Sequence, residues 1–311
     1  MDLSLALMGN IGAMLIWCAV GFAIVRIGLL KSADSKAVST LCVYVMTPCV
    51  LVCAFQIDLT EDRLTGFLTA FLFSMAVQAV WIVLTRLLRK PFHLQGIDQA
   101  TLIYTNCGNL IFPLVSMTLG GDMVFYASAY IVAFSILLWT HGVSAVRGAR
   151  TIQLKKMLLN PNIIAIAIGF GLMVTGVKIP SVLYTAMNGL SSMIGPASMI
   201  SIGMVIGGIS LKRVFMTPKA YFLSAGRLIA LPVLTLGILW LTGICRRFPA
   251  AVPVLMIAFL SAAAPSSATV SQLAVVYDNH AEEAGIYNVL TTLFCVITMP
   301  LMILLYQVWI G

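Results

Sequence analysis

The stretch YTNCGNLIFPLV, residues 104–115, lies inside a long apolar run yet carries two asparagines, a glycine and a proline. Those residue types weaken a helix. In hydrocarbon every backbone polar group must find a partner inside the protein. A broken helix is tolerated there only where the freed groups meet protein, water or a ligand. The reading of 104–115 therefore depends on whether the chain around it spans a membrane.

Composition says that it does. Of 311 residues, 61% are hydrophobic and 9% charged, and the mean hydropathy is +1.05. A soluble domain carries about a quarter charged residues. Long apolar segments exclude a β-barrel, whose strands are short and alternating. Residues 1–10 lack a basic n-region and no cleavage site stands out, so the first apolar run, to about Leu30, reads as a membrane span rather than a secretory signal. Segments of about 20 apolar residues cross a bilayer. Candidates fall at roughly 4–25, 37–56, 66–88, 99–119, 123–146, 161–177, 182–209, 220–242, 251–275 and 284–309. The expectation is an all-α integral membrane protein of about ten transmembrane helices.

Thirteen of the 18 Lys and Arg lie in the loops after spans one, three, five and seven, four lie on the other side, and Arg227 falls inside span eight. Basic loops stay cytoplasmic. Both termini are thus expected outside the cytoplasm, across a cell inner (plasma) membrane. The linker RGARTIQLKKMLLN (147–160) is expected inside. The net charge of +8 is loop chemistry and implies no nucleic-acid partner.

The linker divides the spans five and five, so the halves run in opposite orientations. Residues 1–147 form a first five-helix repeat, 148–160 a cytoplasmic linker and 161–311 a second, inverted repeat. Pro48 and Pro113 in one half, and Pro196 and Pro265 in the other, stand 65 and 69 residues apart. Inverted repeats with interrupted helices at matching places are the sequence sign of a secondary transporter, with substrate held at the interruptions. Helices 4 and 9 are expected to be broken by Pro113 and Pro265 and to meet near the midplane. Half-helix N-termini converging there favour an anion. The candidate substrate-binding residues are Thr105, Asn106, Asn109, Pro113, Pro265, Ser266, Ser267, Ser271 and Gln272, with Pro48 either lining the pathway or kinking its helix. For the asparagines the competing reading is interhelical packing.

Arg227 reads either as an anion attractor or as a snorkelling residue. His141, at the end of span five, is typical of an interfacial position, with proton coupling as its functional alternative. No Asp or Glu lies well inside a span, which disfavours a carboxylate proton relay. Coupling is left open between Na⁺ on freed carbonyls and the membrane potential acting on a bare anion. No cofactor is expected. Cys49 and Cys53 share a helix face, but without a neighbouring His or carboxylate they read as packing residues and not as metal ligands. Three scattered histidines and no membrane acids give neither a nucleophile–base pair nor a metal cluster, so an enzyme is disfavoured. An anion channel is the remaining alternative to a carrier.

Three stretches resemble the auxin efflux carrier family, including its bacterial malonate or related carboxylate permeases. TNCGNLIFPLVSMTLGGD is similar to the family's fourth-helix motif. NPNIIAIAIGFGLMVTGVKIP is similar to its Asn-Pro-Asn opening of the sixth helix, and GPASMISIGMVIGG to its seventh helix. The resemblance implies ten helices in two inverted repeats, a scaffold and a transport domain, and crossing of helices four and nine at the positions of Pro113 and Pro265. It further implies elevator-like movement of a small organic anion and a homodimer through the scaffold. The long central loop of many plant members is missing, so auxin itself is not implied as substrate.

Overall fold

The computed structural model describes residues 2–149, 154–208, 210–246 and 251–310. Arg150, Arg247 and the middle of the 147–160 linker lie outside them, as do the side chains of Asn109, Arg213 and Arg246. Among the described residues every regular element is helical, apart from one isolated bridge. The principal helices are α1 (Asp2–Arg26), α2 (Ser32–Ala54), α3 (Glu61–Leu88), α4 (Gly96–Ile103), α5 (Phe112–Leu119) and α6 (Gly121–Arg147). They continue as α7 (Pro161–Thr175), α8 (Ser181–Gly208), α9 (Pro218–Thr242), α10 (Ala251–Ala263), α11 (Ala268–Val276) and α12 (Ala281–Trp309). Six of them, α2, α3, α6, α8, α9 and α12, are long and apolar enough to cross a membrane; Gly12–Arg26 of α1, α7 and α10 are shorter apolar helices. The expected all-helical membrane architecture is what the chain adopts.

Several helices are wound more widely in places. π turns occur at Cys42–Met46, Cys107–Ile111, Leu138–Gly142 and Gly226–Ala230. Pro48, Pro113 and Pro232 each stand two residues beyond such a turn. A proline has no N–H and its ring collides with the carbonyl four residues back. Widening the preceding turn removes that collision and lets the helix go on. At the first of these turns the Cys42 carbonyl accepts both the Thr47 N–H and, at 2.8 Å, the Thr47 hydroxyl. The expectation that Pro113 breaks its helix is therefore corrected. Pro113 sits in the first turn of α5, carried by the Cys107–Ile111 π turn, and the chain leaves helical geometry earlier, at 104–106.

The residues pack as two compact units. The first comprises Met1–Leu64, Gly108–Ser128 and Leu159–Leu211. Here α1 and α8 approach at backbone distance through small residues. A Cβ on Gly203 would fall on the Cys18 carbonyl, and one on Gly21 on the carbonyl of Ile200. Between apolar helices in lipid such close packing replaces the hydrophobic drive. The Ser39 hydroxyl meets that of Ser201 at 2.7 Å, and Ser201 donates to the Ser35 carbonyl at 3.1 Å. Gly169 of α7 admits the side chain of Phe55, whose ring stands edge-on to Phe125 at 4.9 Å.

The second unit comprises Thr65–Cys107, Ala129–Leu158 and Lys212–Gly311. Its interior is built on buried aromatic side chains, among them Trp81, Tyr104, Tyr130, Tyr287 and Tyr306. Tyr306 stacks on Phe259 at 5.4 Å and donates to the Val252 carbonyl at 2.7 Å. Lys219 pairs at 2.6 Å with Asp98, whose side chain is fully buried and also accepts from the Gln95 N–H at 2.7 Å. That carboxylate thus closes the first turn of α4.

The glycine contact gives a first expectation. Gly203→Ala must push α1 and α8 apart and should cost about 1–3 kcal/mol, as overpacking does. Gly171→Ala in α7, where a new Cβ meets nothing within 4 Å, should leave stability unchanged or slightly raised. Melting temperatures in detergent, measured side by side, check the pair.

Candidate functional site

The polar centre of the second unit forms where two helices stop. α4 ends at Ile103, and Tyr104 turns extended, with φ −94° and ψ 127°. α10 ends at Ala263, and α11 begins at Ala268. Thr105 and Ser266 face each other as an antiparallel bridge. The Asn106 N–H donates to the Pro265 carbonyl at 2.8 Å, and the Ser267 N–H donates to the Tyr104 carbonyl at 2.9 Å. Each break thus satisfies groups the other has exposed. Proline fits the second break because its absent N–H is not needed there, while its carbonyl is.

Side chains complete the backbone's needs. The Ser266 N–H donates to Thr291 Oγ1 at 3.2 Å, and Asn288 Nδ2 donates to the Ser266 carbonyl at 2.7 Å, both from α12. Ser267 caps α11, accepting the Thr269 N–H at 3.2 Å. The Tyr104 hydroxyl donates to the Leu137 carbonyl at 2.9 Å and lies 2.9 Å from His141 Nδ1. Its ring is accommodated by Gly142, where a Cβ would come within 2.7 Å of it.

Arg227 is the charge at this centre. It is 0% exposed, so it does not snorkel. It projects from the Gly226–Ala230 π turn of α9. Nη1 donates to the Leu102 carbonyl at 3.2 Å, and Nη2 to the carbonyls of Ala264, at 2.8 Å, and Ala262. The Trp81 ring covers it at 4.8 Å. Arg227 Nε finds no partner among the described residues. The buried Thr105 and Tyr130 hydroxyls likewise have no hydrogen-bond partner among the described residues.

Of the residues singled out in the sequence, Thr105, Asn106, Pro265, Ser266, Ser267 and Arg227 come together here. Asn106 is 6% exposed, and its carboxamide makes no hydrogen bond among the described residues. Ser271 is engaged elsewhere, donating to the Ala284 carbonyl at 2.9 Å, and Gln272 is exposed. Pro48, Asn109 and Pro113 belong to the first unit. Pro48 is half-buried, Pro113 is buried beside Gly195, and the Asn109 side chain lies outside the described residues. A cleft of about 360 Å³ in the first unit, lined by 55–59 and 172–178, contains none of them.

Sequence reading missed Tyr104, Trp81, Asn288 and Thr291. Asn288 and Thr291 left a signal, being polar residues one turn apart in a long apolar helix. Trp81 left none.

Six helices long and apolar enough to cross a membrane, together with two interrupted helices and a buried guanidinium, make this a multi-pass membrane protein. The family model described as membrane transport protein matches residues 7–151 and again 145–303. The chain belongs to that family, which is the auxin efflux carrier family, and is a membrane transporter rather than an enzyme. No curated protein matches the chain.

Thr291 tests whether the crossing depends on its side-chain partners. Thr291→Val leaves the buried Ser266 N–H unpaired, which costs about 1–3 kcal/mol. The expected result is a lower melting temperature, with Thr292→Val, one position along, as the milder control.

Proposed function

We propose that this transporter carries a small organic anion, such as a carboxylate, and that the crossing of 104–106 with 264–267 is its binding site. The observation that carries the reading is the Asn106 carboxamide. It is a hydrogen-bonding group that the crossing leaves unengaged and that is not among the fully enclosed unpartnered atoms, in the same centre as Arg227 and the N-terminus of α11. An amide left open and unengaged has two N–H donors to offer an anion. The dipole of a helix start and a nearby cation make an anion the fitting ligand. Ser266 and Ser267 contribute neutral hydroxyls, and Asn109 is assigned to the same pathway on sequence grounds. Arg227 acts on the anion through its field, since its Nη atoms are engaged by carbonyls.

The chain is read as ten spans in two inverted five-helix repeats, about 1–147 and 161–311 joined by a cytoplasmic linker. The support is order: long helices surround one interrupted pair, α4–α5 or α10–α11, in each half. Elevator-like movement would assign the second unit, which holds the crossing, to the moving part and the first to the scaffold. Kinship to the bacterial malonate and carboxylate permeases, a homodimer through the scaffold, and placement in the inner membrane with both termini outside complete the reading.

Asn106→Ala should weaken uptake of the transported anion while leaving folded protein in the membrane. Losing a hydrogen bond to a charged ligand is worth about 1.5–3 kcal/mol, or roughly ten- to a hundredfold in affinity. Screening small mono- and dicarboxylates by thermal shift supplies the substrate for that assay. Normal uptake by the variant would make Asn106 a packing residue and remove the site. Orientation is checked separately. A cysteine at position 155 should be shielded from impermeant reagent in intact cells and one at 246 labelled; the reverse pattern would invert the topology.

A further inference from the structure

The Arg227 guanidinium carries a full positive charge, and no Asp or Glu among the described residues pairs with it. Its compensation is dipolar. α4 and α10 both end at the crossing, and a helix C-terminus leaves its last carbonyls unpaired with a partial negative charge. Leu102 and Ala262 supply carbonyls of that kind, and Ala264 adds one from the unwound segment itself. In carriers with broken helices, unwound carbonyls and half-helix C-termini are the groups that hold a coupling Na⁺ or proton. Here the converging carbonyls already have a cation. It is covalently tethered, it stays protonated in proteins, and the Trp81 face closes over it at 4.8 Å.

We propose that Arg227 is the resident cation of the crossing: its guanidinium occupies the carbonyl cage that would otherwise take a coupling Na⁺, so the two broken helices are held and charged without an ion from solution. The consequence for coupling rests on the carrier reading above; the occupancy of the cage does not. Of the two couplings left open by the sequence, the cage excludes Na⁺ at this position. Arg227 is accordingly a positioning residue. It fixes the ends of α4 and α10, and through them the extended residues 104–106 and 264–267.

Thermal melting of purified protein in detergent tests this without any transported substrate, so its failure is distinguishable from failure of the carrier reading. Each protein is compared in NaCl and in choline chloride at equal ionic strength. Wild type should show no Na⁺-specific rise in melting temperature. Arg227→Ala should melt several degrees lower in choline chloride, and Na⁺ or millimolar guanidinium should restore part of the loss by refilling the vacated carbonyls. Arg227→Lys, which keeps a charge but not the fork, should lie between and stay insensitive to Na⁺. A Na⁺-specific rise in wild type overturns the proposal. So does an Arg227→Ala protein that melts like wild type, or one whose loss neither cation relieves. If Arg227→Ala does not yield folded protein, Arg227→Lys decides alone: insensitivity to Na⁺ supports the resident cation, and Na⁺-specific stabilisation contradicts it.

Discussion

Two backbone hydrogen bonds, Asn106 N–H to the Pro265 carbonyl and Ser267 N–H to the Tyr104 carbonyl, carry the central constraint of this protein. A helix interrupted within hydrocarbon leaves donors and acceptors that cost several kcal/mol each when unpaired. Two interruptions placed against each other supply one another's partners. The remaining needs set the surrounding side chains. Thr291 and Asn288 take the two groups of Ser266, Ser267 caps the outgoing helix, and Arg227 gathers the carbonyls where the incoming helices end. A polar crossing of this kind is stable only as a complete network, because a partly satisfied one in a low-dielectric interior costs more than an apolar core.

Against that network, the free carboxamide of Asn106 is an exception. The backbone of Asn106 is committed to the crossing and its side chain is not. An amide held in place by its own backbone loses little freedom when it binds, which is the pre-organisation that the proposed site would use. The arrangement also divides the work of charge. The Arg227 Nη atoms face the carbonyls of Leu102, Ala262 and Ala264, and in the proposed carrier the field of the guanidinium acts on the anion. On that proposal one guanidinium serves both the helix ends and the ligand.

Much of this was legible in the amino-acid sequence. The clash between an apolar run and the Asn, Gly and Pro of 104–115 marked an interrupted helix, and Pro265 among small residues marked its partner. What failed was the assignment of the first break to Pro113. Proline announces a missing donor but not how the chain accommodates it. The π turn at Cys107–Ile111 accommodates Pro113 without ending the helix, and the interruption falls at Tyr104–Asn106, where no proline stands. The proline of one half is thus matched in the crossing by Tyr104 of the other. Arg227 was visible as an unusual charge, but its burial was not, because snorkelling and burial begin from the same sequence. Trp81 and the close approach of Gly203 to Cys18 depend on which helices meet, information that a single apolar pattern does not hold.

The account's central claim is that an anion is held at the crossing by Asn106. A structure of the protein with a transported carboxylate bound tests it most directly. The claim predicts carboxylate oxygens within hydrogen-bonding distance, about 3 Å, of Asn106 Nδ2, with Arg227 still engaged by the carbonyls of Leu102, Ala262 and Ala264. A carboxylate seated away from 104–106 and 264–267, with the Asn106 amide still unpartnered, would contradict it.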